Sequence, residues 1–173
     1  LAPRTITTTG GLKGSGDIQT ADTLTLVQSG DTTYSGTIKG TGSFVKNGTG
    51  NLTLNGVAGS VDLGTQLIIN GGTLGLDGSN ILANTLDVLI NNNGTMQLIN
   101  GNQRIDALAG SGLINLGSNK LEVNDGGTFA GTVIGNGTLD IKNGQFTVSS
   151  DITSTEGTFN VNDGATTTIN QDS

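Results

Sequence analysis

The sequence has no cysteine, no histidine and no tryptophan in its 173 residues. Without cysteine the chain can form neither a disulfide framework nor a thiolate metal site. Without histidine it lacks the side chain that most often serves as a general base or a metal ligand. These absences disfavour most enzyme chemistries. We therefore predict a protein that is not an enzyme, with no catalytic residue, no cofactor and no metal site.

Cationic and long apolar segments are also scarce. Lysine and arginine number 7 against 14 aspartates and glutamates, which gives a net charge of -7. A nucleic acid or an anionic membrane would require a basic patch, so we expect neither as a partner. No apolar run approaches the ~18 residues of a membrane-spanning helix. The start, "LAPRTITTTGG", has no initiator methionine and no signal-peptide pattern, which predicts a piece of a longer protein.

Glycine and β-branched residues dominate what remains. The chain has 30 glycines, one proline and a charged fraction of only 12%. Threonine, isoleucine, leucine and valine recur in short runs that alternate apolar and polar residues, as half-buried strands do. We therefore expect an ordered, all-β chain with a solvated acidic surface, organised as a single unit over residues 1–173.

Four segments share a Gly-x-Gly pair, an apolar residue soon after it and a closing apolar-x-apolar triplet. They begin "GLKGSGDIQT", "TIKGTGSFVK", "ALAGSGLINL" and "TVIGNGTLDI". Because glycine tolerates sharp turns, the chain is predicted to turn at these pairs. The pairs are Gly14/Gly16, Gly40/Gly42, Gly110/Gly112 and Gly135/Gly137. A second element recurs upstream of two copies, as "YSGTI" at 34–38 and "FAGTV" at 129–133.

Apolar triplets recur along the chain, and several end in an Asn-Gly or Asp-Gly turn. They are Leu24/Leu26, Leu52/Leu54, Leu74/Leu76, Met96/Leu98, Leu121/Val123 and Phe146/Val148. A repeat of about 22 to 28 residues would hold three short strands, which is one coil of a solenoid. A single coil cannot bury enough apolar surface to offset its lost conformational entropy, so about seven coils are predicted to stack.

The predicted core consists of these apolar residues together with Phe44 and Leu139. Alternate residues of a strand point to the same face, so the residue between the two apolar positions should face water. We expect the six triplets to lie above one another in a ladder. Leu139 is expected to follow Ile114 in a neighbouring ladder.

The register of the C-terminal coils has two solutions. We predict that residues 146–148 stack on residues 121–123. The alternative stacks residues 138–141 on the same segment and sets Asp140 directly beside Glu122. Like charges at such positions are destabilising, which favours the first register.

Residues 34–78 resemble a known repeat. The run "TYSGTIKGTGSFVKNGTGNLTLNG", followed by "INGGTLGLDG" at 69–78, is similar to the passenger-associated transport repeat of bacterial autotransporters, the proteins of type V secretion. The similarity lies in the Tyr-x-Gly-x-Thr segment, the glycine-rich run that contains a lysine, and the closing GGTL. The chain departs in having Phe44 and Val45 around the expected leucine, and the match is close over residues 34–78.

The resemblance implies a right-handed parallel β-helix in a passenger domain that is secreted or displayed on the surface of a Gram-negative bacterium. It implies an outer-membrane barrel of the same protein as a partner, and a repeat that aids secretion and folding. We expect a monomer that acts as a stalk or as an adhesin in virulence. Its ligand would be a host-cell surface or matrix protein, and the sequence names no residue that binds it.

Two alternatives remain open. Parallel β-helices also host polysaccharide-degrading enzymes, which use clustered carboxylates and a basic residue. The local candidate is Arg104 with Asp106, two positions apart in "QRID" and thus able to share a strand face. Other carboxylates are scattered, so a surface ion pair is the simpler interpretation of this pair. The second alternative is a pure structural spacer.

Overall fold

A computed structural model describes residues 4–8, 10–148, 157–162 and 165–169. Within these ranges the chain forms twenty β-strands and no helix. It follows that the described residues include no helix that could cross a membrane. The strands pair in parallel between successive coils and stack as a solenoid of about seven turns. The predicted parallel β-helix is confirmed.

Each coil has three sides. Side A contains β1 (Arg4–Thr8), β3 (Leu24–Gln28), β6 (Phe44–Asn47), the first part of β9 (Gln66–Asp77), the first part of β10 (Asp87–Asn100), β12 (Leu108–Gly110), β15 (Gly127–Phe129), β18 (Gly144–Val148) and β20 (Ala165–Ile169). Side B contains β4 (Thr32–Tyr34), β7 (Leu52–Leu54), the second parts of β9 and β10, β13 (Leu113–Asn115) and β16 (Thr132–Ile134). Side C contains β2 (Asp17–Thr20), β5 (Thr37–Gly40) and β8 (Val61–Leu63), then β11 (Gln103–Ile105), β14 (Lys120–Val123), β17 (Thr138–Ile141) and β19 (Thr158–Val161).

One coil takes 19 to 23 residues. On side A, Leu24 pairs with Phe44, 20 positions later, and Phe44 pairs with Leu67, 23 positions later. Further along, Gly110 pairs with Phe129, 19 positions later. The predicted coil of 22 to 28 residues was therefore too long.

The overestimate has a geometric cause. The Gly-x-Gly pairs precede strands on different sides: Gly16 precedes side C, Gly42 side A, Gly112 side B and Gly137 side C again. The two spacings of about 25 residues thus span one coil plus one side, and the long spacing spans three coils plus one side. The sequence repeat marks a corner followed by a strand, and all three corners of the coil use it.

The interior is a continuous apolar column. Of the 14 predicted core residues, 13 are buried, and the side chain of Val148 lies outside the described residues. The single ladder of six triplets is wrong, however. Residues 52–54, 74–76 and 96–98 stack in register on side B. The remaining three triplets lie on sides A and C, because the repeat advances by one side as well as one coil.

The prediction of three short strands per coil is wrong in the two coils that contain Leu76 and Leu98. Leu76 lies near the end of β9, which has 12 residues, and Leu98 lies near the end of β10, which has 14. Each of these strands continues around the corner from side A to side B, where two separate strands were expected. The reason is that the two neighbouring coils pair with each other on both sides of this corner, which extends the backbone ladder through it. Leu76 and Leu98 pair with each other across the two coils and are both buried.

The predicted ladder also fails directly after Leu98. It placed Val123 as the next neighbour of Leu98, but Val123 lies on side C. The next coil on side B is instead β13, where Asn115 pairs with Gln97. The ladder from Leu54 through Leu76 to Leu98 is therefore the part of the predicted stacking that the structure contains.

The predicted register of the C-terminal coils is also wrong. Residues 138–141 stack on residues 120–123, so that Asp140 lies beside Glu122. Glu122 was expected to face water, but it is buried. The repulsion that argued against this register is offset by cations that contact both carboxylates. Their geometry is described with the candidate site.

Two other placements change with this register. Leu139 lies beside Leu121 on side C and not in the ladder of Ile114, which belongs to side B. Phe146 pairs with Gly127 on side A. The apolar residues remain inward-facing in both cases, so the error concerns their neighbours and not their burial.

Asparagine side chains connect three successive coils at the corner between sides A and B. Asn70 donates from Nδ2 to Asn47 Oδ1 at 2.8 Å, and Asn91 donates to Asn70 Oδ1 at 2.6 Å. A side-chain amide can donate and accept at once, which suits such a stack. The stack adds polar links between coils beside the backbone ladder.

Candidate functional site

Lys46 is a buried lysine inside the solenoid. It lies in β6, where residues alternate inward and outward, so it points to the same interior as Phe44. The side chain is fully buried between Leu26 of the previous coil and Ile69 of the next. Burial of a charge is costly unless hydrogen bonds compensate it.

Two main-chain carbonyl groups provide that compensation. Lys46 Nζ donates to Gly50 O at 2.6 Å in its own coil and to Gly71 O at 2.8 Å in the next coil. Burial lowers the pKa of Lys46 to about 8, although the nearby charge of Asp31 acts in the opposite direction. A Cβ on Gly72 would lie 2.8 Å from Nζ, so glycine leaves room for the contact. We call this arrangement the Lys46 clamp.

The Lys46 clamp joins the two parts of the segment 34–78. Gly50 belongs to the glycine-rich run, and Gly71 belongs to the closing GGTL. Gln28 has the same role one coil earlier, because its Nε2 donates to the carbonyl oxygens of Gly30 and Asn51, both at 3.0 Å. Buried donors therefore tie three successive coils together from the inside.

Tyr34 provides a further link between coils. Its buried hydroxyl donates to Gly16 O in the previous coil. A Cβ on Gly36 would overlap that same carbonyl oxygen, which explains why tyrosine and glycine stand two positions apart in "YSG". Burial, with the charge of Asp17, raises the pKa of Tyr34, so the hydroxyl remains a donor.

A polar groove opens on side C between β8 and β11. The side C ladder is interrupted there, because residues 78–86 contribute an isolated bridge from Leu82 to Val61 and no strand. The groove has a volume of about 490 Å³, which lies in the range of small-ligand sites. The side chains with functional groups along it include those of Asn80, Asn84, Asn102, Arg104, Lys120 and Glu122.

The floor of the groove is held by side-chain amides. Gln103 is buried, donates from Nε2 to Gly78 O at 2.5 Å, and accepts from Leu82 N at 3.4 Å. Asn102 Oδ1 accepts from Lys120 N at 2.8 Å. These contacts replace part of the backbone pairing that a strand would have supplied, and they fix the groove without filling it.

An ion-pair network forms one wall of the groove and continues along side C. Glu122 pairs with Arg104 Nε and with Lys120 Nζ, the latter at 2.8 Å. In the next coil, Asp140 lies 2.8 Å from Lys142 Nζ and 3.5 Å from Lys120 Nζ. Lys142 Nζ is also 3.5 Å from Glu122. Each lysine therefore bridges both carboxylates, which explains the observed register.

The network keeps its carboxylates ionised. Burial by itself would raise the pKa of Glu122, but the hydrogen bonds and charges of Lys120 and Arg104 outweigh it and lower the pKa below the ordinary 4.5. Burial is likewise outweighed at Asp140, whose pKa falls below the ordinary 3.8 mainly through its hydrogen bond from Lys142. That hydrogen bond raises the pKa of Lys142 in return. Three cations and two carboxylates leave one net positive charge.

The predicted pairing of Arg104 with Asp106 is replaced by the pairing of Arg104 with Glu122. Asp106 instead follows β11 at a corner, where burial and the charges of Asp87 and Asp125 raise its pKa. Within the ranges that the structure describes, no three acidic side chains are grouped so that they could hold a metal ion.

The predicted turn glycines lie at corners of the coil. Gly40, Gly110 and Gly135 have φ angles of 142°, 111° and 101°. These are left-handed conformations that residues with side chains rarely adopt. The second glycines of the same pairs are needed for another reason. A Cβ on Gly42, Gly112 or Gly137 would overlap atoms of the previous coil.

Sequence reasoning did not identify Lys46 or Glu122 as buried residues. The alternation of β6 was the available signal for Lys46, since it lies two positions after the inward-facing Phe44. For Glu122 the signal was the pair of patterns Lys-x-Glu at 120–122 and Asp-x-Lys at 140–142, which places opposite charges on one strand face. The groove left a weaker signal, the short apolar patch "NIL" at 80–82.

No family model, no curated protein and no solved structure matches this chain. The fold therefore rests on the strand topology. The resemblance of residues 34–78 rests on those residues alone.

Proposed function

We propose that this chain is a non-catalytic segment of an autotransporter passenger domain, exported to the bacterial surface, where it serves as a stalk or as an adhesin toward a host protein. The Lys46 clamp carries the proposal. It connects the lysine of the family-like run to the closing GGTL across two adjacent coils. The segment that resembles the transport repeat is thus held by contacts that exist only when both coils have folded.

The clamp supports a role in export for a physical reason. In a solenoid each coil contacts its neighbours, so coils can fold one after another as a chain emerges. The ammonium group of Lys46 lacks one of its two carbonyl partners until Gly71 arrives with the next coil. Two coils should therefore lock together in one step, and a locked pair cannot slip back through a narrow pore.

The proposal is tested by placing the chain between a Sec signal peptide and a type V outer-membrane barrel in a Gram-negative host. Surface yield is measured by protease accessibility on intact cells. We expect the wild-type chain to reach the surface. The double change Leu52→Asp and Leu54→Asp should lower the yield several-fold, because it places two charges in the core. Thr53→Asp, between them and pointing outward, is the matched control and should keep the wild-type yield.

Two outcomes would count against the proposal. Failure of the wild-type chain to reach the surface, when an established passenger does so on the same barrel, would remove the passenger assignment. Wild-type yield from the double variant would remove the link between folding and export. Capture on immobilised host matrix proteins then separates adhesin from stalk, since a stalk retains none of them.

A further inference from the structure

The groove on side C is a recess shaped by four successive coils. Its lining runs from Ala58 through residues 80–84 and 102–104 to Glu122. Three coil spacings of about 4.8 Å give it a length of roughly 14 Å along the solenoid. With a volume of about 490 Å³, it has room for a short oligomer.

Cationic groups face this recess on a protein that is otherwise acidic. The side chains of Arg104 and Lys120 are 50% and 38% exposed, whereas Glu122, which pairs with both, is 6% exposed. The negative partner therefore lies beneath, and the cations lie nearer the solvent. Since the whole chain carries a net charge of -7, this local arrangement favours an anionic group that the rest of the surface would repel.

Uncommitted amides lie in the same recess. Asn80 and Asn84 are exposed, and within the described part of the chain their side chains make no hydrogen bond. Asn80 also has a φ of 51°, the one positive φ among the described non-glycine residues. Such a conformation costs free energy, and its persistence at a recess points to a functional role. An amide offers one acceptor and two donors, a combination that matches hydroxyl groups.

We propose that the side C groove binds short oligosaccharides of uronic acids. The carboxylate of one sugar would pair with the exposed guanidinium of Arg104, which suits planar carboxylates. The hydroxyl groups would bind Asn80 and Asn84. No aromatic ring lies in the groove lining, so recognition depends on charge and hydrogen bonds and not on stacking against a sugar face. The proposal concerns binding and is independent of how the chain is exported.

Isothermal titration of the purified chain with tetramers of galacturonate, glucuronate and mannuronate tests the proposal. At least one tetramer should bind, and its fully methyl-esterified form, which lacks the charges, should bind at least tenfold more weakly. Arg104→Gln should weaken binding tenfold or more. Lys39→Gln removes the same charge from β5 on the same side, away from the groove, and should leave the affinity unchanged.

Asn84→Ala guards against a trivial loss of structure, because the Asn84 side chain makes no contact that the fold needs. It should weaken binding about threefold to tenfold while melting as the wild type does. The proposal is overturned if none of the three tetramers binds at millimolar concentration. It is also overturned if Lys39→Gln and Arg104→Gln weaken binding equally, which would indicate diffuse attraction, or if the esterified tetramer binds as well as the acid.

Discussion

Glu122 and Asp140 lie directly beside each other on adjacent strands of side C, and lysine side chains contact both. The carboxylate of Glu122 accepts charged hydrogen bonds that are worth about 1.5 to 3 kcal/mol each in proteins. We therefore expect Glu122→Gln to lower the free energy of unfolding at pH 7 by about that amount. Urea denaturation measures the change, and Asp62→Asn, an exposed carboxylate on β8, is the control.

The same pair predicts a response to acid. The pKa of Glu122 is lowered by folding, so its stabilising contribution is complete above the ordinary value of 4.5 and is lost as the pH falls through the lower folded value. Below pH 4.5 the wild-type chain should lose more stability than Glu122→Gln does. Parallel acid titration curves for the two proteins would show that Glu122 does not contribute in this way.

Lys46 predicts the opposite response in base. Its pKa falls from an ordinary 10.5 to about 8 on folding. Between these values the unfolded chain holds a proton that the folded chain has released, so stability rises with pH. The gain of the wild type over Lys46→Met should grow by about 3 kcal/mol between pH 8 and 10.5. Taking the difference removes the contribution of Tyr34, which acts in both proteins. A flat difference would mean that Lys46 is not buried.

The inward orientation of Leu52 and Leu54 is testable in the isolated chain. Both are buried, at 0% and 2% exposure. Changing both to aspartate would place two unpaired charges in neighbouring positions of the core, at several kcal/mol each. We expect the double variant to melt far below the wild type and to be cut by protease within the surrounding coils. Wild-type melting and protease resistance would contradict the coil arrangement.

Gly42 and Gly16 allow a matched comparison. Both are the second glycine of a Gly-x-Gly corner, but a Cβ on Gly42 would overlap the carbonyl oxygen of Asp22, whereas a Cβ on Gly16 meets nothing within 4 Å. Gly42→Ala should therefore cost about 2 kcal/mol or more in unfolding free energy. Gly16→Ala should be close to neutral. Equal effects would mean that the requirement for glycine is conformational and not steric.

The solenoid itself could be predicted from the sequence because the alternation at positions such as Leu52 and Leu54 depends only on local strand geometry. The number of coils followed from the same pattern. Coil length could not be read correctly, since three equivalent corners look like one in a linear sequence. Gly16 and Gly42 align well there, although they occupy different sides of the coil.

The register of the last coils shows a second limit. A pairwise rule correctly states that Glu122 and Asp140 repel each other, but the stable arrangement depends on three more charges in three coils. The groove is harder still to predict. It arises because one coil lacks a strand on side C, so its lining combines residues 58 to 122 that have no common sequence pattern.

The shared corner has a consequence for how such a rod can change. A tandem gene duplication of about 25 residues would add one full winding and one third of another. Amino acids on the outside of the copied segment would then reappear facing a direction rotated by about 120°. Repeated duplications of this kind would carry an inherited surface feature along a spiral path, so that it came to face every direction around the rod.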